Sequence, residues 1–344
     1  MTTPVLRLGP LSVRVRRRPV VVGVVLLAAL VVISAVTLTT GDYPATVADV
    51  VRTVFGQGPP GLELVVTRFR LPRLLVAIGV GAALGAAGAI FQSISRNPLG
   101  SPDVIGFTTG SATGAVLVLL VFDDLQVSVA AGAVIGGLLS AVLVYLLAYR
   151  GGVQGFRLIL VGLGVSTILA SINTYLLSRA AVQEARLAQL WLLGSVTGRT
   201  WQHVTTLWIS LAVLLPVVLT VGRKMSMLEM GDSTAQSLGI PPERTRLTLV
   251  LLGVALTAVA TAAAGPIGFI ALAAPQVATR LTRSAGPGLL PATITGAVLL
   301  TAADLAGQRL IPDIQLPVGL ATGAVGGVYL MWLLAMQWRK NSKP

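Results

Sequence analysis

Residues 68–111 read RFRLPRLLVAIGVGAALGAAGAIFQSISRNPLGSPDVIGFTTGS. Three arginines, Arg68, Arg70 and Arg73, precede an apolar run of bilayer-crossing length, for which about 20 residues suffice. Small residues recur along the run every three or four positions. That spacing lets helix backbones approach closely in lipid, where packing rather than the hydrophobic effect holds helices together. The run ends in Asn97-Pro98-Leu99-Gly100-Ser101-Pro102-Asp103. Two prolines four residues apart stop one helix and set the entry angle of the next. A second Gly-rich apolar segment follows at once.

Composition agrees with this reading. The 344 residues are 54% hydrophobic and 11% charged, with a mean hydropathy of +0.86, whereas soluble domains carry roughly 25% charged residues. The chain is therefore expected to be an all-α polytopic membrane protein. Cysteine is absent, which excludes a disulfide framework, thiol catalysis and a Cys-ligated metal. The single histidine, His203, argues against a His-based metal centre. It follows Trp201-Gln202 at the start of a span and reads as a polar cap. A net charge of +13 would suggest nucleic acid in a soluble chain. Here the loops account for it.

Ten spans are expected, near 20–38, 72–91, 104–121, 128–148, 158–177, 203–221, 247–264, 267–281, 290–306 and 317–336, the eighth being short. With the N-terminus inside, the cytoplasmic loops hold 17 of the 25 Lys and Arg and four of the 12 acids. The outer loops hold eight basic and seven acidic residues, and Asp304 stays within a span. This is the positive-inside pattern, with both termini cytoplasmic. The Arg14 to Arg18 stretch and the apolar core after it mimic a signal peptide, but the core is long and no A-x-A site follows. It reads as an uncleaved first span.

One transmembrane domain covers residues 1–344, with a basic cytoplasmic N-terminus at 1–19 and a cytoplasmic loop at 222–246. The hydrophilic segments 39–71, 178–202 and 222–246 are too short for cores of their own. Residues 182–194 carry Val182, Ala185, Leu187, Leu190 and Leu193 at helical spacing, a short amphipathic helix on the outer surface. Trp191 and Trp201 suit an interfacial belt.

The inner loop RKMSMLEMGDSTAQSLGIPPERTRL, residues 223–247, predicts two short helices between Ser226 and Leu238. The second starts at Asp232 or Ser233 as N-cap, carries Ala235, Gln236 and Leu238, and ends at Gly239 before Pro241 and Pro242. A short helix with a small-residue face suits a partner's groove; a capped surface helix without a partner is the other reading. Energy supply is judged from what is missing. A P-loop needs G-x-x-x-x-G-K-[ST], and Lys224, Lys340 and Lys343 lie in no such context. Asp304 is the one charge clearly inside a span. It reads as a structural group that pairs with Arg309 or accepts hydrogen bonds from its own turn, rather than as a proton relay. At the outer mouth of the second span, Arg70 and Arg73 either anchor lipid headgroups or hold carboxylates bidentately; Arg68 stays open.

These segments resemble the FecCD family, the permease subunits of ABC importers for ferric siderophores, haem and cobalamin. Three blocks carry the resemblance in order. They are Arg70-Leu-Pro-Arg73 with Gly81-Ala-Ala-Leu84, Gly88, Gln92 and Asn97-Pro-Leu99; then Leu228-Glu229, Gly231, Ala235 and Leu238-Gly239; then Gly265-Pro266-Ile267, Phe269, Leu272 and Pro275. The match covers about residues 20–336. It implies a type II importer permease of about ten transmembrane helices in the cytoplasmic (inner) membrane. Such a chain is not itself an enzyme and has no cofactor or metal of its own, because ATP is used by a partner. The implied partners are a second permease, identical or homologous, two ATP-binding subunits on the cytoplasmic side and an extracytoplasmic substrate-binding protein, with no nucleic acid.

The resemblance also assigns residues. Leu228, Glu229, Gly231, Asp232, Ala235, Leu238 and Gly239 belong to the helix that docks on the ATPase. Arg70 and Arg73 receive carboxylates of the binding protein. Asn97 and Leu99, with Gly155 and Phe156, meet at the inner gate, although Asn97 can equally cap its own turn. The chain departs from the family at Gln276, where His is usual, at Gln315, where Glu is common, and at Gly326-Gly327-Val328-Tyr329, where G-x-P-F is commoner. Gln308 occupies the expected arginine position of A-D-x-x-x-R, which leaves the role of Arg309 open. Gln315 with the G-G-x-Y ending, the loop from Leu228 to Asp232 and Gly100-Ser-Pro-Asp103 look most like the ferric-enterobactin branch. The expected cargo is a ferric siderophore, catecholate favoured, with haem or cobalamin as the alternative. The rival from another class is a secondary transporter; an intramembrane enzyme would need a set such as H-E-x-x-H.

Overall fold

A computed structural model describes residues 5–8, 11–14, 17–41, 43, 45–122, 128–150, 152, 154–310 and 315–341. Parts of the expected basic N-terminus, the outer loop 122–127 and the outer loop 307–316 lie outside the described residues. Two strands, β1 (Val5–Leu8) and β2 (Leu11–Arg14), pair antiparallel. The remaining elements are helical: α1 (Arg17–Thr39), α2 (Val47–Val54), α3 (Pro60–Leu64), α4 (Leu71–Ser95), α5 (Phe107–Leu120), α6 (Val129–Ala148), α7 (Gly155–Arg179), α8 (Val182–Leu192), α9 (Trp201–Glu229), α10 (Asp232–Ser237), α11 (Pro242–Ala264), α12 (Ile270–Thr282), α13 (Leu289–Arg309) and α14 (Val318–Asn341).

Each of the ten expected spans coincides with a helix, and among the described residues seven helices have the length and apolarity to cross a membrane. Of the other three, α5 is short, α14 is apolar over its described first half, and α12 departs from expectation. It begins at Ile270 rather than 267 and has 13 residues. At 1.5 Å per residue that is about 20 Å, short of a hydrocarbon core of about 30 Å. The residues before it, from Gly265 to Phe269, are non-helical and buried or half-buried by protein, the condition for irregular backbone in a membrane.

Helix α4 is the axis of the molecule: 89% of its apolar window is buried inside the protein. It packs against α13, α11, α12 and α9. Small residues make this possible. A Cβ on Gly81 would fall 2.4 Å from the Gly296 carbonyl oxygen, one on Gly85 2.3 Å from that of Ala292, and one on Gly88 1.8 Å from that of Ala271. Pro275, inside α12, lacks the N–H that would engage Ala271, so this carbonyl is left to face Gly88. A second seam joins α5 to α6 through Gly110, Gly114, Gly132 and Gly136. By contrast α1, α7 and α9 have 11%, 17% and 22% of their windows buried. They present apolar side chains outward, as helices facing lipid or a partner do.

The segment 39–71 is more organised than its length suggests. Thr46 and Asp49 form a capping box that starts α2, and a π-helical turn at Val65–Arg70 leads into α4. Val50, Leu62 and Val66 make a small apolar cluster with Leu38 and Ala45. Helix α8 forms as expected, but Ala188 is its buried residue, while Val182, Leu187 and Leu190 point outward. The expected first short helix of the inner loop does not exist separately, because α9 runs unbroken to Glu229. Helix α10 follows after Gly231, whose φ of 114° makes the corner. It therefore starts at Asp232 with Gly231, not Asp232 or Ser233, in the N-cap position.

Candidate functional site

At the mouth of α4 the arginines part company. Arg73 lies with Asp304 of α13: Nη2 and Nε donate to the carboxylate at 2.8 and 3.0 Å, and Nη1 donates to Gln315 Oε1 at 3.0 Å. Gln308, one turn beyond Asp304, donates to the same carboxylate at 2.8 Å. The Arg73 side chain is 11% exposed and that of Asp304 2%. All three side-chain nitrogens of Arg73 are thus bonded within the protein. The expected partner of Asp304 is corrected: Arg73, not Arg309, pairs with it, while the hydrogen bond from its own turn is present. Arg70 donates to the Leu38 and Tyr43 carbonyls at 2.8 and 2.7 Å, tying the end of α1 to α4. Arg68 and Arg309 are exposed.

Between these groups lies a cavity of about 400 Å³, whose walls include Arg70, Arg73, Arg199, Arg309, Gln308 and Gln315. Burial pushes the Arg199 guanidinium below its ordinary value; it donates to the Ser195 carbonyl at 3.1 Å. His203, at the third position of α9, accepts from the Thr200 N–H through Nδ1 at 3.3 Å. It is the polar cap its sequence context suggests.

At the other end, α10 sits on α9 and α11. Among the residues expected to dock, Leu228 and Ala235 are buried by this chain's own core, at 4% and 0% exposure. They seat the helix and do not present it. Glu229 is half-buried against Gly286, where a Cβ would fall 2.3 Å from its carboxylate. Asp232, Ser233, Thr234, Gln236, Leu238 and Gly239 are exposed, as is Met230. Arg96 donates to Asp232 at 2.6 Å and to the Leu228 carbonyl at 2.8 Å, and Arg246 donates to Asp232 at 3.0 Å and to Glu243. Burial alone would push the Asp232 carboxyl up. The hydrogen bonds and charges of Arg246 and Arg96 outweigh this and hold it below the usual carboxylate range.

Gly155, at the start of α7, packs on the end of α4, two residues before the turn that begins at Asn97. A Cβ on Gly155 would fall 2.5 Å from Ser95 Cα. Asn97 Oδ1 accepts the Leu99 N–H at 2.9 Å, so Asn97 caps its own turn. Leu99 and Phe156 are exposed, at 42% and 75%. Gln276 donates to the Pro98 carbonyl at 2.7 Å and its Oε1 accepts from Tyr329 at 3.4 Å. A neutral amide therefore joins the turn to α14 without titrating. Asp103 accepts from Thr108 Oγ1 at 2.7 Å and from the Phe269 N–H at 3.3 Å, linking the turn to the non-helical segment before α12. Neither Asp103 nor Thr108 was expected to make this link.

The outward face of α7 carries Gly164, Thr167, Ser171, Thr174 and Ser178, all exposed. Each hydroxyl donates back to its own helix backbone, which leaves its lone pairs facing outward. The alternating steps of three and four residues were present in the sequence and could have revealed this polar stripe.

The model of the FecCD transport family matches residues 26–336. The ferric enterobactin transport system permease protein FepG of Escherichia coli (strain K12) is 44% identical over 327 residues, 95% of this chain and 99% of that one. The probable siderophore transport system permease protein YfhA of Bacillus subtilis (strain 168) is 40% identical over 294 residues, covering 83% and 86% of the two chains. A solved inward-facing structure of a metal-chelate type ABC transporter superposes with a TM-score of 0.81 at 25% identity, covering 92% of this chain and 99% of that one.

Proposed function

Because this chain belongs to the FecCD transport family, we propose that the ABC importer permease it forms carries a ferric siderophore of the catecholate type across the cytoplasmic membrane. The observation that carries the cargo class is the 44% identity, over nearly the full length of both chains, to a ferric enterobactin permease. ATP is hydrolysed by separate subunits that dock on α10, with Leu238 and Met230 as apolar contacts and Asp232 and Gly239 at the rim. A second permease, identical or homologous, faces the hydroxyl stripe of α7, and the cargo path runs between the two, closed at its inner end by Leu99 and Phe156. An apolar helix that holds such a stripe outward, with little of itself buried, fits a wet path better than lipid.

On the outer side a substrate-binding protein meets the arginine-walled cavity. Arg70, Arg68 and Arg309 present positive charge to its carboxylates, while Arg73 holds the wall together. The test is uptake by proteoliposomes containing the permease pair, the ATPase and the binding protein. ATP-dependent uptake of a ferric tris-catecholate, several-fold above that of a ferric hydroxamate, is expected. Uptake without ATPase would sink the ABC reading, and a preference for hydroxamate would sink the cargo. Arg68→Glu with Arg309→Glu is expected to weaken binding-protein docking, most at low salt, since exposed charges act over a Debye length of about 8–10 Å.

A further inference from the structure

Arg96 stands in a backbone conformation that its own side chain disfavours. It ends α4 with φ 48° and ψ 33°, left-handed, a place where glycine is the default because a Cβ costs energy there. Such an outlier persists when something else fixes the residue. Here the side chain supplies the reason. Its guanidinium grips both sides of the corner between α9 and α10, at the Leu228 carbonyl and at Asp232. The very next residue, Asn97, opens the turn whose Leu99 is exposed at the inner end, and Gln276 holds that turn through the Pro98 carbonyl. Asp232 is gripped a second time by Arg246 from α11, whose side chain is 8% exposed. One carboxylate on α10 thus joins the end of α4, through a single residue, to the 97–99 turn.

We infer that Arg96 is the strut by which displacement of α10 is transmitted to the 97–99 turn, a positioning residue that couples ATP use to opening of the inner end. This rests on the reading of α10 as the ATPase-docking helix. A glycine at this position would satisfy the backbone but sever the connection. Bonds to a backbone carbonyl and to a carboxylate together fix the guanidinium in direction as well as distance, which a lone exposed ion pair does not.

The experiment measures cargo imported per ATP hydrolysed in proteoliposomes, beside co-purification of the ATPase. Arg96→Gln is expected to retain ATPase binding and hydrolysis while the ratio falls by about tenfold, within the range of an inter-site coupling term. Asp232→Asn is expected to lower the ratio too, and the double variant to fall no further than Asp232→Asn alone, because both changes cut the same connection. An unchanged ratio for Arg96→Gln, or effects that multiply in the double variant, overturns the strut. If Arg96→Gln does not accumulate in membranes, Asp232→Asn alone supplies the readout, and an unchanged ratio there has the same meaning. A wild-type permease that neither binds nor uses the ATPase defeats the permease reading itself. A coupled wild type beside a fully coupled Arg96→Gln defeats only the strut.

Discussion

Arg73 and Asp304 are 231 residues apart in sequence and bonded at 2.8 Å in the fold. No local pattern joins them, which is why the motif around Arg73 was legible and its partner was not. The residues at each end gave sound chemistry: an arginine fit to hold a carboxylate, and an aspartate that needed donors. What sequence distance concealed was that each answers the other's need. Removing one member leaves the other buried and unpaired, at a cost of about 3–5 kcal/mol. Asp304→Asn is therefore expected to lower the thermal unfolding midpoint in detergent markedly, and Arg73→Gln added to it to recover part of the loss. An unchanged midpoint for Asp304→Asn would mean the pair is not structural. Asp232 makes the opposite case, since its carboxyl is held below the usual range by two arginines. A depressed carboxylate contributes stability that is present above its unfolded value, near 3.9, and is lost as pH falls through the lower folded one. The seating of α10 should accordingly not change between pH 8 and pH 5, as read by cross-linking of α10 to α11. Release of α10 near pH 6 would contradict the bonding described.

At the scale of elements, the spans were readable because an apolar run of membrane length has one main structural outcome. Their internal divisions were not, because these depend on packing between distant helices. Helix α12 starts late because Phe269 stands in the left-handed region at φ 68°, so the right-handed helix begins only at Ile270; Gln92 of α4 then holds its first turn, donating to the Leu272 oxygen at 2.9 Å. Helix α10 was placed correctly, but its orientation was inverted in one respect. Ala235 is small so that the helix can sit on its own protein, at 0% exposure, not so that an ATPase can approach. Ala235→Arg would bury a charge with no partner and is expected to dislodge α10 and reduce yield, whereas Leu238→Asp should leave yield intact and abolish ATPase co-purification. A well-folded Ala235→Arg permease, or full ATPase binding by Leu238→Asp, would reverse the assignment of faces. The glycine seam on α4 makes a sharper claim. Gly88→Val would drive a branched side chain into the Ala271 carbonyl, and neither backbone can yield without moving α12 away from α4. Loss of the folded protein is expected, measured as the monodisperse fraction on size exclusion. Gly164→Ala, on the open face of α7 where a Cβ meets nothing within 4 Å, should elute as wild type.

Across the whole molecule, hydrogen bonds and ion pairs sort the helix ends onto two faces, independently of the count of loop charges. Trp201 donates to the Thr67 carbonyl and Trp208 to that of Leu75, and Arg73 pairs with Asp304. These contacts gather the starts of α4 and α9 and the end of α13 on one face. On the other, Arg96, Asp232 and Arg246 join the end of α4 to the start of α11, and Arg18 donates to the Leu281 carbonyl at 2.9 Å, bringing the start of α1 to the end of α12. The two groups are those the alternating loops of the sequence define. Geometry alone does not say which face is cytoplasmic; the loop charges predict that it is the face carrying α10, where Lys and Arg concentrate, since such residues resist translocation. The ATPase reading needs the same orientation independently, because ATP is in the cytoplasm. A reporter fused at Gly231 is expected to report the cytoplasm and one at Gly58 the outside. Because these positions belong to the two groups of contacts, both reporters on one side would contradict the fold itself. A clean exchange of sides would leave the fold standing but put α10 where no ATP is available, removing both the docking role of that helix and the strut at Arg96.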